Sequence, residues 1–350
     1  VFIKLAKRIQ SKSSNTSEKL PTSSISIVIS AKNEAENLKR NLPFIFQQEK
    51  IDFEVIVIDD HSSDETYKIL SEFQKKNSNL KIIQLADFTA NTGKKIALSK
   101  AIELASYEIL LFTDADCQPA SKMWAYRMLQ QLLANASTEV ILGFGGFRKK
   151  NNFLNRLQNF ETITTAIQYF SASLWKSPYM GVGRNLMYKK SLFLEKNGFK
   201  NHLDIPSGDD DLFVQEVANK ENTQICLHPE SFTISNLPTT WKAWFRQKQR
   251  HVTTSSRYSL KHQLLLGGLY FNKFIFWLSF VILLFTSLWF YAILGMTIIT
   301  GIVYIIQKPI FKHFEEKRLL LGYPIYNFSL VLFQFCIFIM NLKSTPKHWN

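Results

Sequence analysis

Cysteine is scarce in this sequence: Cys117, Cys226 and Cys336 are the only three in 350 residues. They are far apart, odd in number and lack CxxC spacing, which excludes a disulfide framework and a structural zinc site and fits a reducing compartment. Acidic residues are also in the minority, with 28 Asp and Glu against 42 Lys and Arg, a formal charge of +14 and a pI near 9.5. So basic a chain suits a polyanion or an anionic membrane surface. The globular part has no basic stripe with interleaved aromatics, so no nucleic-acid partner is expected, and basic flanks of membrane segments account for the charge. Nothing at the start reads as a secretory signal peptide. The first residue is Val1 rather than Met, so upstream residues are expected to be missing. Val1 to Arg8 reads equally well as the basic flank of a lost membrane helix or as an amphipathic turn.

Apolar and aromatic residues are abundant, at 46% and 14% with 29 Phe, and the excess lies mostly after residue 263. Before it, short apolar strands recur at intervals of roughly 25 residues with helical spacing between them. Strands are predicted at Ile25 to Ile29, Glu54 to Ile58, Leu80 to Leu85 and Glu108 to Thr113, and helices at Thr66 to Lys75 and Lys94 to Ala105. This alternation predicts an α/β fold of right-handed βαβ units with a mainly parallel sheet. After Asp116 the pattern loosens. Val140 to Phe147 reads as a strand, Asn152 to Trp175 as a long helix, Gly181 to Tyr188 as a loop entering a strand, Asp210 to Asn219 as a helix and Thr223 to Leu227 as a closing strand. Residues 9–24 read as a Ser/Thr/Lys/Asn-rich linker.

No residue from Phe274 to Ile306 is charged, a length that exceeds about 30 Å of hydrocarbon at about 1.5 Å per residue. It reads as one very long span or as a hairpin starting near Leu264. Leu319 to Leu342 is a second such run, so two or three spans are expected in residues 261–350, after a catalytic domain over 25–260 and a basic segment and linker over 1–24. Gln247 to Arg257, preceded by Trp241 and Trp244, reads as an interfacial segment. Charge bias predicts a multi-pass protein of the inner (cytoplasmic) membrane with its globular domain in the cytoplasm.

Five motifs carry chemistry. Asp114-Ala115-Asp116 follows an apolar strand and places two carboxylates one residue apart, an arrangement that holds Mg²⁺ or Mn²⁺ against a diphosphate. Asp59-Asp60 also ends a strand, and Asp60 can accept hydrogen bonds from a base or ribose; Ser62, Ser63 and Asp64 read mainly as helix caps. Lys94, behind Gly93 at a helix start, suits a diphosphate, although the spacing is not that of a P-loop. In Gly208-Asp209-Asp210-Asp211, crowding of like charges raises the pKa of at least one carboxylate toward that of a general base. Asp210 is the candidate, with Asp209 and Asp211 next. Gln247 and Arg250 can orient sugar hydroxyls and grip diphosphate oxygens, or meet lipid headgroups.

With Asn33-Glu34, Asp59-Asp60, Gly93-Lys94, Asp114-Ala115-Asp116, Gly208-Asp209-Asp210-Asp211 and Gln247…Arg250-His251 in this order, the chain resembles the family 2 inverting glycosyltransferases of the GT-A fold over about residues 25–257. The membrane-bound cellulose and hyaluronan synthase relatives are among them. The resemblance implies that Asn33, Glu34, Asp60, Lys94, Asp114, Gln247 and Arg250 bind the nucleoside diphosphate sugar, most simply a UDP-sugar. It also implies that Asp116, with Asp114, ligates the metal and that Asp210 is the base. Three Asp stand where the family has an acidic pair, and His251 stands where processive members carry Trp, which argues against polymer synthesis. The expected acceptor is a hydroxyl of a lipid-linked or envelope glycan, beside membrane lipids. The competing expectation is a non-catalytic nucleotide-sugar-binding or scaffold subunit.

Overall fold

β-Branched runs build the centre of the molecule. In the computed structural model, which describes residues 2–10, 23–89, 91–205 and 207–343 with side chains to Asn341, β1 (Ile25–Ala31), β2 (Phe53–Asp59), β3 (Leu80–Gln84) and β4 (Ile109–Phe112) pair in parallel. The order is β3-β2-β1-β4, and the register sets Ala31 opposite Asp59 and Val28 opposite Phe112, so the carboxyl ends of these strands share one edge. The linker read over residues 9–24 lies largely outside the described residues.

Further strands follow: β5 (Gln118–Pro119), β6 (Val140–Leu142), β7 (Gly145–Phe147), β8 (Leu186–Lys189), β9 (Thr223–Ile225) and β10 (Thr233–Ser235). The main sheet continues from β4 through β8, β6 and β9, while β5, β10 and β7 form a second, three-stranded sheet. The single strand expected over Val140 to Phe147 is therefore two, which separate at Gly143-Phe144 and enter different sheets. Antiparallel pairing sets Phe112 opposite Leu186 and Leu142 opposite Leu186. The turn before β8 consequently arrives at the same edge as the residues after β4. A helix at Trp124–Leu133, where the sequence pattern had loosened, packs Trp124, Met128 and Leu129 onto the core with Leu38, Leu42 and Ile45 of the helix Ala35–Phe46. These side chains meet Ile25, Ile27, Ile29, Val55, Val57 and Leu111 on one face of the sheet.

The chain divides into two compact units: residues 23–148 with 172–237, which hold both sheets, and residues 2–10, 149–171 and 238–343. The second is helical. Three of its segments, Leu260–Leu284, Trp289–His313 and Lys317–Asn341, are long and apolar enough to cross a membrane. The uncharged run from Phe274 to Ile306 is thus a hairpin, its first helix beginning at Leu260 rather than near Leu264. The first and third segments meet through Phe274 and Phe335, with ring centroids 5.3 Å apart, and through Trp277 Nε1, which donates to Asn327 Oδ1 at 2.9 Å. The N-terminal residues Phe2–Gln10 form a helix that buries Leu5 and packs on Trp289–His313. Trp241–Ser255 is one continuous helix, with the side chain of Thr240 accepting from Ala243 N.

One buried side chain ties the two sheets to the turn before β8. Asn185 is fully buried; its Oδ1 accepts from Trp124 Nε1 at 3.0 Å and its Nδ2 donates to the carbonyls of Phe144 and Ser231, each at 2.8 Å. Asn185→Ala strands a buried indole N–H and the Ser231 carbonyl, at about 1–3 kcal/mol for each unsatisfied group, while Phe144 O keeps its bond from Thr233 N at 3.1 Å. The variant is expected to lower the thermal midpoint of the detergent-solubilised protein by several degrees, measured by intrinsic fluorescence. An unchanged midpoint would show that the three bonds contribute nothing.

Candidate active site

The shared edge of the sheet collects the charged motifs. Beyond β2, Asp60 takes up two backbone ties: its N–H donates to Ala31 O at 2.8 Å and its Oδ2 accepts from Gly93 N at 2.9 Å. Gly93 has φ +141°, a conformation open to glycine and rarely to other residues, and this lets the chain turn directly into the helix Lys94–Leu104. The β2 carboxylate thereby fixes where Lys94 begins. His61, whose ring bridges Asp60 Oδ1 and Thr89 O at 3.1 Å each, braces the same loop. Lys32 Nζ lies 3.9 Å from Asp60 Oδ2.

Of the segment expected to be caps, Asp64 serves the first residues of two helices, whereas Ser62 and Ser63 bond Asn33 across two loops. Asn33 N donates to Ser62 Oγ, Asn33 Oδ1 accepts from Ser63 N, and Asp64 accepts from both Ala35 N and Thr66 N. Asn33 is thus committed to locking the β1 and β2 loops together. Glu34 stands at the start of the helix Ala35–Phe46. Burial pushes its carboxyl pKa up, a hydrogen bond from Asn37 opposes this, and the charges of Asp116 and Asp114 raise it further.

Lys94 is the centre of the arrangement. Its ammonium lies 2.9 Å from Asp114 Oδ1 and 2.9 Å from Asp209 Oδ2, with 13% of the side chain exposed. Burial pulls its pKa down, but Asp114, Asp209 and Asp210 outweigh that, and it stands well above the ordinary lysine value. A cavity lined by Lys94, Thr113, Asp114, Gly183, Asp209 and Asp210 opens at this point. The loop that supplies its floor follows from the β4–β8 pairing: Thr113 Oγ1 donates to Arg184 O at 3.2 Å, and Arg184 donates from Nε and Nη2 to Gly145 O.

The three consecutive Asp have three different partners. Asp209 faces Lys94. Asp211 is buried and its Oδ1 accepts from Leu212 N at 2.8 Å. Asp210 caps the helix Asp211–Val217, accepting from Asp211 N and, at 2.7 Å, from Gly183 N, while still lining the cavity. Its pKa rises to about 7, first through burial and then through the charges of Asp209 and Asp211, against the opposing effects of Lys94 and the Gly183 N–H. Gly208, with φ +98°, makes the turn into this run.

Asp114, Asp116 and Cys117 bring one ligand atom each within 4.8 Å of one another. The Asp116 pKa is raised by burial and by Asp114, which is the electrostatic condition a divalent cation relieves. Burial and the neighbouring carboxylates hold the Cys117 thiol well above its usual pKa; its Sγ donates to Asp116 Oδ1 at 3.3 Å, which leaves the two carboxylates as the oxygen donors of the group. The donor set fits Mg²⁺ or Mn²⁺.

Two contributors escaped sequence reasoning. Asn41 is 2% exposed, and its Nδ2 donates at 2.9 Å to the carbonyl of Ala115, between the two metal-side carboxylates. The available signal was a polar residue amid Leu38, Leu42 and Ile45 on the apolar stripe of its helix. Lys95 is buried and holds the loop ahead of the Asp run, donating to His202 O and to Ile205 O. Burial lowers its pKa to about 8. Gln247 and Arg250 lie on the helix Trp241–Ser255 of the other unit, where burial lowers the Arg250 pKa.

Comparison with known proteins bears on this geometry. The profile described as "Glycosyl transferase family 2" matches residues 26–195, and that of "Glycosyl transferase family group 2" matches residues 130–304, half of the chain. A probable glycosyltransferase, YdaM, of Bacillus subtilis is 27% identical over 234 residues, 65% of this chain and 54% of that protein. A poly-β-1,6-N-acetyl-D-glucosamine synthase of Staphylococcus epidermidis is 32% identical over 145 residues, 41% of this chain and 34% of that protein. The chain thus spans about half or less of the length of these relatives. Among solved structures, the mannosyltransferase PcManGT of Pyrobaculum calidifontis, in complex with GDP-Man and Mn²⁺, superposes with a TM-score of 0.59 at 17% identity over 93% of both chains. The fold is therefore GT-A, and the chain belongs to the family 2 glycosyltransferases.

Proposed function

We propose that the protein is a membrane-anchored, inverting glycosyltransferase that moves a sugar from a nucleoside diphosphate, a UDP-sugar by preference, to a hydroxyl of a lipid-linked or envelope glycan. One observation carries this reading: Lys94 holds Asp114 and Asp209 at 2.9 Å each, in a cavity that Asp210 also lines. A diphosphate site and a candidate base therefore adjoin, as displacement at an anomeric carbon requires.

In this reading Asp60, Asn33 and Glu34 frame the nucleoside end. Lys94 faces the diphosphate and stabilises the negative charge it gains as the bond from the anomeric carbon to the phosphate oxygen breaks. Asp116 and Asp114 hold Mg²⁺ or Mn²⁺, which when bound supplies Lewis-acid stabilisation to the leaving diphosphate. Asp210 takes the proton of the acceptor hydroxyl while its oxygen forms the new bond from the opposite face, so the configuration inverts. Burial, with the charges of Asp209 and Asp211, raises the Asp210 pKa, and Gln247 and Arg250 are assigned to donor binding by the family resemblance alone. PcManGT, which shares the fold, binds GDP-Man with Mn²⁺, so a guanosine donor belongs in any test. The basic, spanning unit supports placement in the cytoplasmic membrane with the catalytic unit on the cytoplasmic side.

Nucleoside diphosphate release by the detergent-solubilised protein across UDP-, GDP- and dTDP-sugars tests the reading. One donor should turn over with Mn²⁺ or Mg²⁺, stop with EDTA, and lose at least about a hundredfold in Asp116→Ala. Donor binding without release, even with membrane lipid extract as acceptor, would instead mean a non-catalytic subunit.

The base assignment makes a pH prediction. Asp210 must be ionised to accept a proton, and burial has raised its pKa to about 7, so kcat/KM should fall tenfold per unit on the acid side of a midpoint at or below pH 7. The cation, when bound, moves that midpoint down. Asp210→Asn should keep donor affinity and lose about 10²–10⁴ in kcat; a variant that retains turnover would remove Asp210 from the role.

Asn41 should act through the metal site. Asn41→Leu fills the same apolar stripe but frees the Ala115 carbonyl. It should weaken Mn²⁺ binding, followed by electron paramagnetic resonance of the free ion, by about tenfold or more, at temperatures well below a thermal midpoint that the stranded carbonyl also lowers. Unaltered Mn²⁺ affinity would reduce Asn41 to a packing residue.

A further inference from the structure

From Ser231 to Phe314 the sequence contains no acidic residue, yet it carries nine Lys and Arg. Eight of them sit outside the spans or near their ends. The ninth, Lys273, lies in the middle of Leu260–Leu284.

Its depth follows from the hairpin. The tip between the first two spans is uncharged and aromatic, with Phe285 85% exposed and Trp289, Phe290 and Tyr291 each more than half exposed, the composition of a membrane interface. Lys308, on the second span, is about 28 Å from Trp289 at about 1.5 Å per residue, close to one hydrocarbon thickness, so it marks the opposite interface. Lys273 is only about 18 Å from Phe285 on the same scale, and therefore lies about 10 Å below the plane of Lys308. A lysine stem of about 6 Å does not return the ammonium to that plane.

Neither protein charge nor hydrogen bonding neutralises it. Lys273 is half-buried on the side of its helix that faces the third span, between two anchoring contacts: Tyr270 OH, which donates to Val331 O at 3.3 Å, and Trp277 Nε1 on Asn327. Among the described residues it makes no hydrogen bond or ion pair, and the nearest acids in the chain after Glu230 are Glu315 and Glu316, beyond the end of the second span. Charged residues within spans persist when they meet a counter-charge or serve a ligand. With no counter-charge among the described residues, the anion is to be sought in the bilayer, whose abundant anions are lipid phosphates.

We propose that Lys273 binds the phosphate of a membrane lipid at the seam between the first and third spans, drawing that headgroup below the interface. The phosphate belongs either to a bilayer phospholipid or to a long-chain lipid carrier. This site does not depend on the transfer reaction.

The test uses the full chain in phosphatidylcholine nanodiscs doped with phosphatidylglycerol, with a polyprenyl monophosphate, or with both, and counts retained lipids by native mass spectrometry. Wild type and Lys273→Arg should retain the anionic lipid over phosphatidylcholine. Lys273→Met should lose at least about fivefold of that retention, whereas Lys308→Met should not. Displacement of phosphatidylglycerol by the polyprenyl phosphate assigns the site to a carrier; the reverse assigns it to the bilayer lipid. Absence of anionic preference in the wild type, which needs no variant to fold, overturns the proposal, as does equal retention by Lys273→Met at a matched thermal midpoint.

Discussion

The ion pairs of Lys94 are the constraint on which the catalytic unit rests. Four carboxylates, Asp114, Asp116, Asp209 and Asp210, converge on the edge of one sheet, and two like charges about 4 Å apart repel by roughly 4 kcal/mol at an effective dielectric constant of 20. One ammonium, 2.9 Å from both Asp114 and Asp209, joins the metal-side group to the base-side group and offsets the repulsion between them. Its placement is inherited. Asp60 directly follows β2, its carboxylate holds Gly93 N, and Gly93 turns the chain so that Lys94 opens its helix toward the edge. The cation sits where it does because a carboxylate one strand away fixes the residue before it.

The parallel half of the sheet was legible because buried parallel strands must be apolar over their whole length. Runs such as Val55-Ile56-Val57-Ile58 have few other readings. The motifs at their ends were legible for a related reason, since strand ends at one edge of a parallel sheet are where ligands are met. The second half resisted because its strands are two to four residues long and include Gly145, Gly146 and Pro119, which have no strand propensity to read. Val140 to Phe147 looked continuous because periodicity cannot show that a strand changes sheets. Asn185 and Asn41 were illegible as contributors because their partners lie 41 to 74 residues away and are mostly backbone carbonyls. The three spans were visible as uncharged length, but whether that length was one helix or a hairpin depended on a turn at residues 285–288 that contains neither Gly nor Pro.

Identity of side chain does not distinguish three adjacent Asp; the partner of each carboxylate does, and it is on those partners that the proposal of Asp210 as the base rests. Asp209 meets a full positive charge, the Lys94 ammonium, at 2.9 Å. Asp211 is turned onto its own helix, away from the lining of the cavity. Asp210 meets two backbone N–H groups, weaker stabilisers than an ammonium, while its neighbours on both sides carry charge. Moving Lys94 closer to Asp210 would ionise it at lower pH and weaken it as a base, because proton affinity falls with every added stabilisation of the anion. Burial is the largest cause of a pKa near 7, and the charges of Asp209 and Asp211 on either side add to it, against the opposing effect of Lys94. Three consecutive Asp, costly as a surface turn, are in this buried setting compatible with proton affinity near neutral pH at the central residue, while one lysine pairs with both Asp209 and Asp114.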